Sequence, residues 1–163
     1  MTGQPKAFAR VGGLAFTVSG LLFLTRGMLD YLSGPPPSTG IEILSWAASH
    51  TFLLAVSNEA TFFAALLLVP AIIVLYQSLS SAHRIAAMTG CGIIATTVPL
   101  LVVLDIIQGR LMYPVFGISA HTPDLAEFVV ALFYGGLHAV DIMVGIATLI
   151  LGLSMCRGSR RLS

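Results

Sequence analysis

The chain has 163 residues, 56% of them hydrophobic and only 9% charged, with a mean hydropathy of +0.94. A soluble domain gives roughly a quarter of its residues to Asp, Glu, Lys and Arg, so this composition excludes a water-soluble globule and leaves lipid to cover the surface. A net charge of +1 gives no reason to expect nucleic acid as a partner. Cys91 and Cys156, without CxxC or Cys/His spacing, read as membrane packing residues and not as a zinc site.

The expected fold is all-α: a single transmembrane domain over residues 1–163, built as a four-helix bundle. Four runs are long enough to cross a hydrocarbon core of ~30 Å, which takes about 20 residues. They are Phe8–Leu32, Phe52–Leu79, Ile85–Ile107 and Phe128–Met155. The first carries Arg26, is too long for a signal-peptide core and lacks a small-x-small cleavage site, so it is expected to be retained.

Basic residues set the expected orientation. Lys6 and Arg10 precede the first run, His83 and Arg84 separate the second from the third, and Arg157, Arg160 and Arg161 follow the fourth. The positive-inside rule then puts both termini in the cytoplasm.

The first outer connection opens with "GPPPSTGIE". Its prolines end the preceding helix, and Thr39 with Glu42 fits a capping box. A short interfacial helix over Gly40 to Ser49 is expected, with Trp46 at headgroup depth and a break near His50. Pro70 and Pro99 should bend the second and third spans. In "HTPDLAEF", Thr122 as N-cap and Pro123 at the first helical position start the last span.

Depth brings the ionisable residues together. At about 1.5 Å per residue, Arg26 lies roughly 9 Å inside the outer end of its span and Glu59 about 10 Å down the second. Asp105 lies a turn below the outer end of the third span. His138 lies about 15 Å down the fourth, and Asp141 a turn deeper. Each of four helices thus sets an ionisable group in the outer half of the bilayer. A charge near the bilayer centre costs about 2.5–3.5 kcal/mol even on lenient scales, so these groups are expected to share one polar cavity.

Faces support the same expectation. Asp30 follows Arg26 by four residues and Gln108 follows Asp105 by three, so each pair shares a helix face. In the last span, Glu127, Ala131, Tyr134, His138, Asp141, Gly145, Thr148 and Gly152 form a stripe of small and polar residues. Such a stripe is expected to face neighbouring helices. Carboxyls outnumber basic groups in this ring, so it needs a proton, a cationic ligand or water. Asp105 has a simpler alternative, pairing with Arg110. Tyr134 has another in core packing.

The leading functional expectation is a membrane-embedded enzyme acting on a small lipophilic substrate by acid–base chemistry, such as isomerisation, cyclisation or epoxide opening (the last a hydrolase-type step). Glu59 or Asp141 would donate the proton and His138 would serve as base or relay. Arg26, Asp30, Asn58, Asp105, Gln108 and Tyr134 would bind or frame the substrate. A di-iron or haem site is not expected, because His138 has no second histidine at its depth, and no cofactor is assigned. The alternatives are a proton-coupled small-solute transporter or channel, and an accessory subunit of a membrane complex. A homo-oligomer is compatible with each.

"ARVGGLAF", together with "SNEATFFAALLLVPAIIVLYQSL" after a proline loop, resembles a family of uncharacterised bacterial multi-span membrane proteins over the first half of the chain. That resemblance implies a multi-pass protein of the bacterial cytoplasmic membrane and brings no activity with it.

Overall fold

A computed structural model describes residues 4–159. The chain forms four helices: α1 (Gln4–Ser33), α2 (Gly40–Ser49), α3 (Thr51–Gly109) and α4 (Pro123–Ser159). No strand forms among the described residues beyond a single bridge between Val115 and Ile118. α1, α3 and α4 are each long and apolar enough to cross a membrane.

α3 has 59 residues, a contour of about 88 Å at 1.5 Å per residue, so it cannot cross once and stay straight. It folds back at His83, where φ −141° and ψ 57° leave the helical range. The break falls in the polar run "YQSLSSAHR", where Ser78 and Ser80 already turn their hydroxyls onto the carbonyls of Val74 and Gln77. The arms 51–82 and 84–109 run antiparallel. Ile72 packs with Cys91 and Ala65 with Leu101. Pro70 and Pro99 interrupt neither arm, since His83 is the one non-helical position inside α3.

α1 lies along the first arm. Gly12 sits against Val74, Ser19 Oγ donates to the Ala64 carbonyl at 2.8 Å, and Arg26 reaches Thr61. α4 lies along the second arm, with Gly136 against Leu104 and Gly90 against Leu151. At Gly12, Gly90 and Gly136 an added Cβ would overlap the facing side chain, which is how small residues let apolar helices approach. The start of α1, the His83 turn and the end of α4 therefore share one end of the bundle.

Among the described residues no Cα of α1 comes within 8 Å of α4. The bundle is open along that side.

The start signal of α4 acts as expected, with the Ala126 N–H donating to the Thr122 carbonyl at 3.0 Å. α2 has its expected bounds, and the backbone turns at His50 (φ −115°, ψ 18°). Two features of α2 depart from expectation. Trp46 is held by protein and does not face lipid: its Nε1 donates to the Ser33 carbonyl at 2.8 Å, and its ring packs with Ala47 and Leu54. α2 is folded over the end of the bundle, so protein takes the indole that lipid would otherwise hold. Nor does the Thr39 hydroxyl cap the helix; it donates to Glu42 at 2.9 Å. The Gly40 N–H is met instead by Glu127 Oε1 at 2.6 Å, a carboxylate at the positive end of a helix.

Gly40 is the tightest joint, since a Cβ there would overlap the backbone of Pro123. Gly40→Ala should therefore lower stability toward the upper part of the ~1–3 kcal/mol range for overpacking. Gly13→Ala, with nothing within 4 Å of the new methyl, should leave the melting temperature in detergent unchanged.

Candidate functional site

The opening between α1 and α4 is a groove of about 570 Å³, floored by both arms of α3. It runs from Asp30 to Phe16 along α1, about 20 Å of helix. Phe23, Leu68, Ile94 and Leu101 are among the apolar residues that line it. Ser19, Thr97 and Thr148 also line it, but each hydroxyl already donates to a backbone carbonyl. The polar chemistry is concentrated in Arg26, Asp30 and Asp141.

Arg26 is 7% exposed. Its Nε donates to Asp30 Oδ2 at 3.2 Å and its Nη1 to Thr61 Oγ1 at 2.8 Å. The guanidinium lies over the Phe133 ring, 5.2 Å from the centroid. Nη2 is buried and has no partner. Asp30 is held in turn by Ser57, whose hydroxyl donates to Oδ1 at 2.7 Å. A buried cation at the end of an apolar groove is thus bonded on two nitrogens and left with one unpartnered, Nη2. Asp141 lines the same groove from α4 and makes no hydrogen bond among the described residues.

The remaining residues expected in the ring divide between two other places. Asn58, Asp105 and Gln108 are buried at the end of the α3 hairpin opposite the His83 turn. Asp105 does not pair with Arg110, whose Nε donates to the Ile106 carbonyl instead. Glu59 and His138 face outward. Glu59 accepts a bond from the Tyr113 hydroxyl at 3.4 Å. Burial, and next the negative charge of Glu59, hold that phenol above its ordinary range, so it stays a donor. His138 makes no hydrogen bond among the described residues. Tyr134 is half-buried and stands edge-on to Phe133, with ring centroids 5.1 Å apart. The packing alternative holds for it.

The ring residues do not all line one cavity: Arg26, Asp30 and Asp141 line the groove, Asn58, Asp105 and Gln108 are buried in the α3 hairpin, and Glu59 and His138 are exposed on different helices; on α4 the cause is one of register. The packed face of α4 carries Ala126, Val129, Phe133, Val140, Ala147 and Leu151, with Gly136 against Leu104. The stripe through Tyr134, His138, Gly145 and Gly152 is rotated off it by about 100° or more. Asp141 and Thr148 reach the groove from the near flank of that stripe, while Gly145 and Gly152 meet no neighbour within 4 Å. Ser57 and Thr61 went unnoticed as partners of the Arg26–Asp30 pair. Their signal is two hydroxyls four residues apart on one face, beside Asn58 and Glu59.

No protein-family model, no curated protein and no solved structure matches this chain.

Proposed function

We propose that this chain crosses a membrane four times, draws a small lipophilic molecule from the bilayer into the groove between α1 and α4, and acts on it by acid–base chemistry. The observation that carries this reading is an apolar groove of about 570 Å³ lined at one end by the Arg26–Asp30 pair of α1 and by Asp141 of α4. Ligand pockets have this size, this apolar lining and a few convergent polar groups. Because the groove opens sideways, a lipophilic molecule reaches it without passing through water.

In this reading Asp141 gives or takes the proton, since its carboxyl is free of protein partners. The Arg26 guanidinium, at the end of the groove, stabilises by its charge a substrate oxygen that gains negative charge, and Asp30 with Ser57 keeps it in position. Isomerisation, cyclisation and epoxide opening all need this combination of proton donor and oxyanion partner. Glu59 and His138, which lie off the groove, receive no catalytic role.

Both termini and the His83 turn belong on the cytoplasmic side, because Arg10 and Arg84 lie at that end and Lys6 and Arg157 belong to the adjoining helix ends. Arg160 and Arg161, which count toward the same reading, lie outside the described residues. The proposed location is a bacterial cytoplasmic membrane, in keeping with the resemblance of the first half of the chain.

Gly27 lines the groove, and nothing stands within 4 Å of a Cβ placed there. Gly27→Phe should therefore block the groove without disturbing the fold. Organic extracts of the purified wild-type protein are expected to contain a lipophilic compound that extracts of Gly27→Phe lack. Asp141→Asn should keep the compound and lose turnover by about 10²–10⁴-fold, the usual worth of a positioned acid or base. Identical extracts from wild type and Gly27→Phe, by untargeted mass spectrometry, would remove the reading.

A second reading is favoured by His138, which faces outward in mid-span with no partner. An imidazole there is met at low cost if α4 packs against another chain, either a second copy or a larger complex. Native mass spectrometry of the detergent-solubilised protein should then give a mass above 17.2 kDa that collapses to the monomer in His138→Leu.

A further inference from the structure

Three side chains at the end of the α3 hairpin opposite the His83 turn each hold a buried oxygen that no donor reaches: Asn58 Oδ1, Asp105 Oδ1 and Gln108 Oε1. Their residues are 7%, 3% and 3% exposed. Buried acceptors are almost always met, so three unmet in one region call for something that satisfies them together.

The three come from facing turns of the two arms of α3. Asp105 and Gln108 stand three residues apart on one face of the second arm. Asn58 lies across from the end of that turn on the first arm, its Nδ2 3.9 Å from where a Cβ on Gly109 would sit. Apolar packing closes the region on both sides. The Trp46, Ala47 and Leu54 cluster, with Leu111 and Met112, lies toward that end of the hairpin, and Ala65, Leu101 and Leu104 lie toward the middle of the bundle.

Charge narrows the ligand. Arg26 bonds Asp30 and Thr61 and keeps Nη2 unpartnered, and no cationic side chain among the described residues comes within 4.0 Å of Asp105. Arg26 and Glu59 act on it only from farther away, and with opposite sign. A buried carboxylate without a counter-charge is costly. A proton on Asp105 would cancel the charge but could meet only one of the two amide oxygens. A water could donate to two oxygens but brings no charge. A hard cation takes oxygen ligands from carboxylate and amide carbonyl alike, and with a single carboxylate a monovalent ion leaves the site neutral where a divalent one would not.

We propose that Asn58, Asp105 and Gln108 form a buried binding site for one monovalent cation of the sodium class. The site is separate from the groove, so it stands or falls independently of the proposed acid–base chemistry. A bound ion would tie the two arms of α3 together at the end where α2 folds over them. It would thereby make the stability of that end depend on sodium.

The test uses the full-length protein purified in detergent, with ²²Na⁺ as probe and choline chloride holding ionic strength constant. Saturable binding competed by NaCl is expected, together with a rise in melting temperature when NaCl replaces choline chloride. Asp105→Asn and Gln108→Leu should weaken binding by more than the roughly tenfold that even an outer-shell change costs a metal site, while Tyr113→Phe should bind as wild type does. Absence of saturable ²²Na⁺ binding to the wild-type protein would overturn the proposal. So would undiminished binding in folded Asp105→Asn, or a melting temperature that follows pH but not sodium, which would mean that a proton does the work. If Asp105→Asn does not fold, Asn58→Leu takes its place, and the wild-type binding assay still decides.

Discussion

Arg26→Met is expected to destabilise the purified protein by about 3 kcal/mol, the lower end of the range for breaking a buried ion pair. The lower end applies because the Asp30 side chain keeps 29% of its surface exposed. Methionine preserves most of the aliphatic stem, so the loss isolates the guanidinium. Three interactions go with it: the pair with Asp30, the bond to Thr61 and the stacking over Phe133. Asp30 is then left with Ser57 as its one side-chain donor. The double variant Arg26→Met/Asp30→Leu should recover part of the lost stability, because it removes the stranded carboxylate. Binding should not recover in the double variant, since the guanidinium is absent from both. Chemical unfolding of the three proteins in one detergent separates these contributions.

Phe133→Ala is expected to cost about 3–5 kcal/mol, the range for truncating a buried aromatic. At 1% exposure Phe133 is among the largest fully buried side chains, and its ring joins Ala65, Leu101, Leu104 and Val140 into one cluster. Phe133 links α4 to both arms of α3 and supports the Arg26 guanidinium of α1 from below. The cavity left by alanine would therefore also loosen the polar end of the groove. Phe133→Leu should restore most of the stability but not the cation–π contact, worth ~0.5–2 kcal/mol. Retained ligand in Phe133→Leu with a raised dissociation rate would separate packing from positioning of Arg26.

The elements were legible in the sequence because their signals are local. Run length marks the apolar arms, "SSAHR" marks the reversal within α3, and Thr122-Pro123 marks the start of α4. The pairing of Arg26 with Asp30 was legible too, since a spacing of four fixes neighbours on a helix. The faces were harder. Lipid is as apolar as a bundle core, so apolar residues give no sign of which side is inside. The polar stripe of α4 was accordingly read about one residue out of register, which sent His138 outward and left Asp141 on the groove. Glu59 and Asn58 are adjacent in sequence, yet the first faces out and the second is buried. The burial of Trp46 against protein was hidden for a different reason. Nothing local in "IEILSWAAS" tells that α2 folds over the bundle, because the contacts that draw it there, to Ser33 and through Gly40 to Glu127, come from distant segments.

The most direct test of the groove as the functional site is photo-crosslinking in native membranes with a diazirine-bearing single-chain lipophile, with the labelled residues mapped by mass spectrometry. Labels are expected to concentrate on Gly20, Gly27, Val144 and Thr148, which line the groove from its two walls, and to disappear from Gly20, Val144 and Thr148 in Gly27→Phe. Labels spread evenly over the outward faces of α1 and α4, or gathered around His138 and Gly152, would contradict a groove that holds a lipophilic ligand.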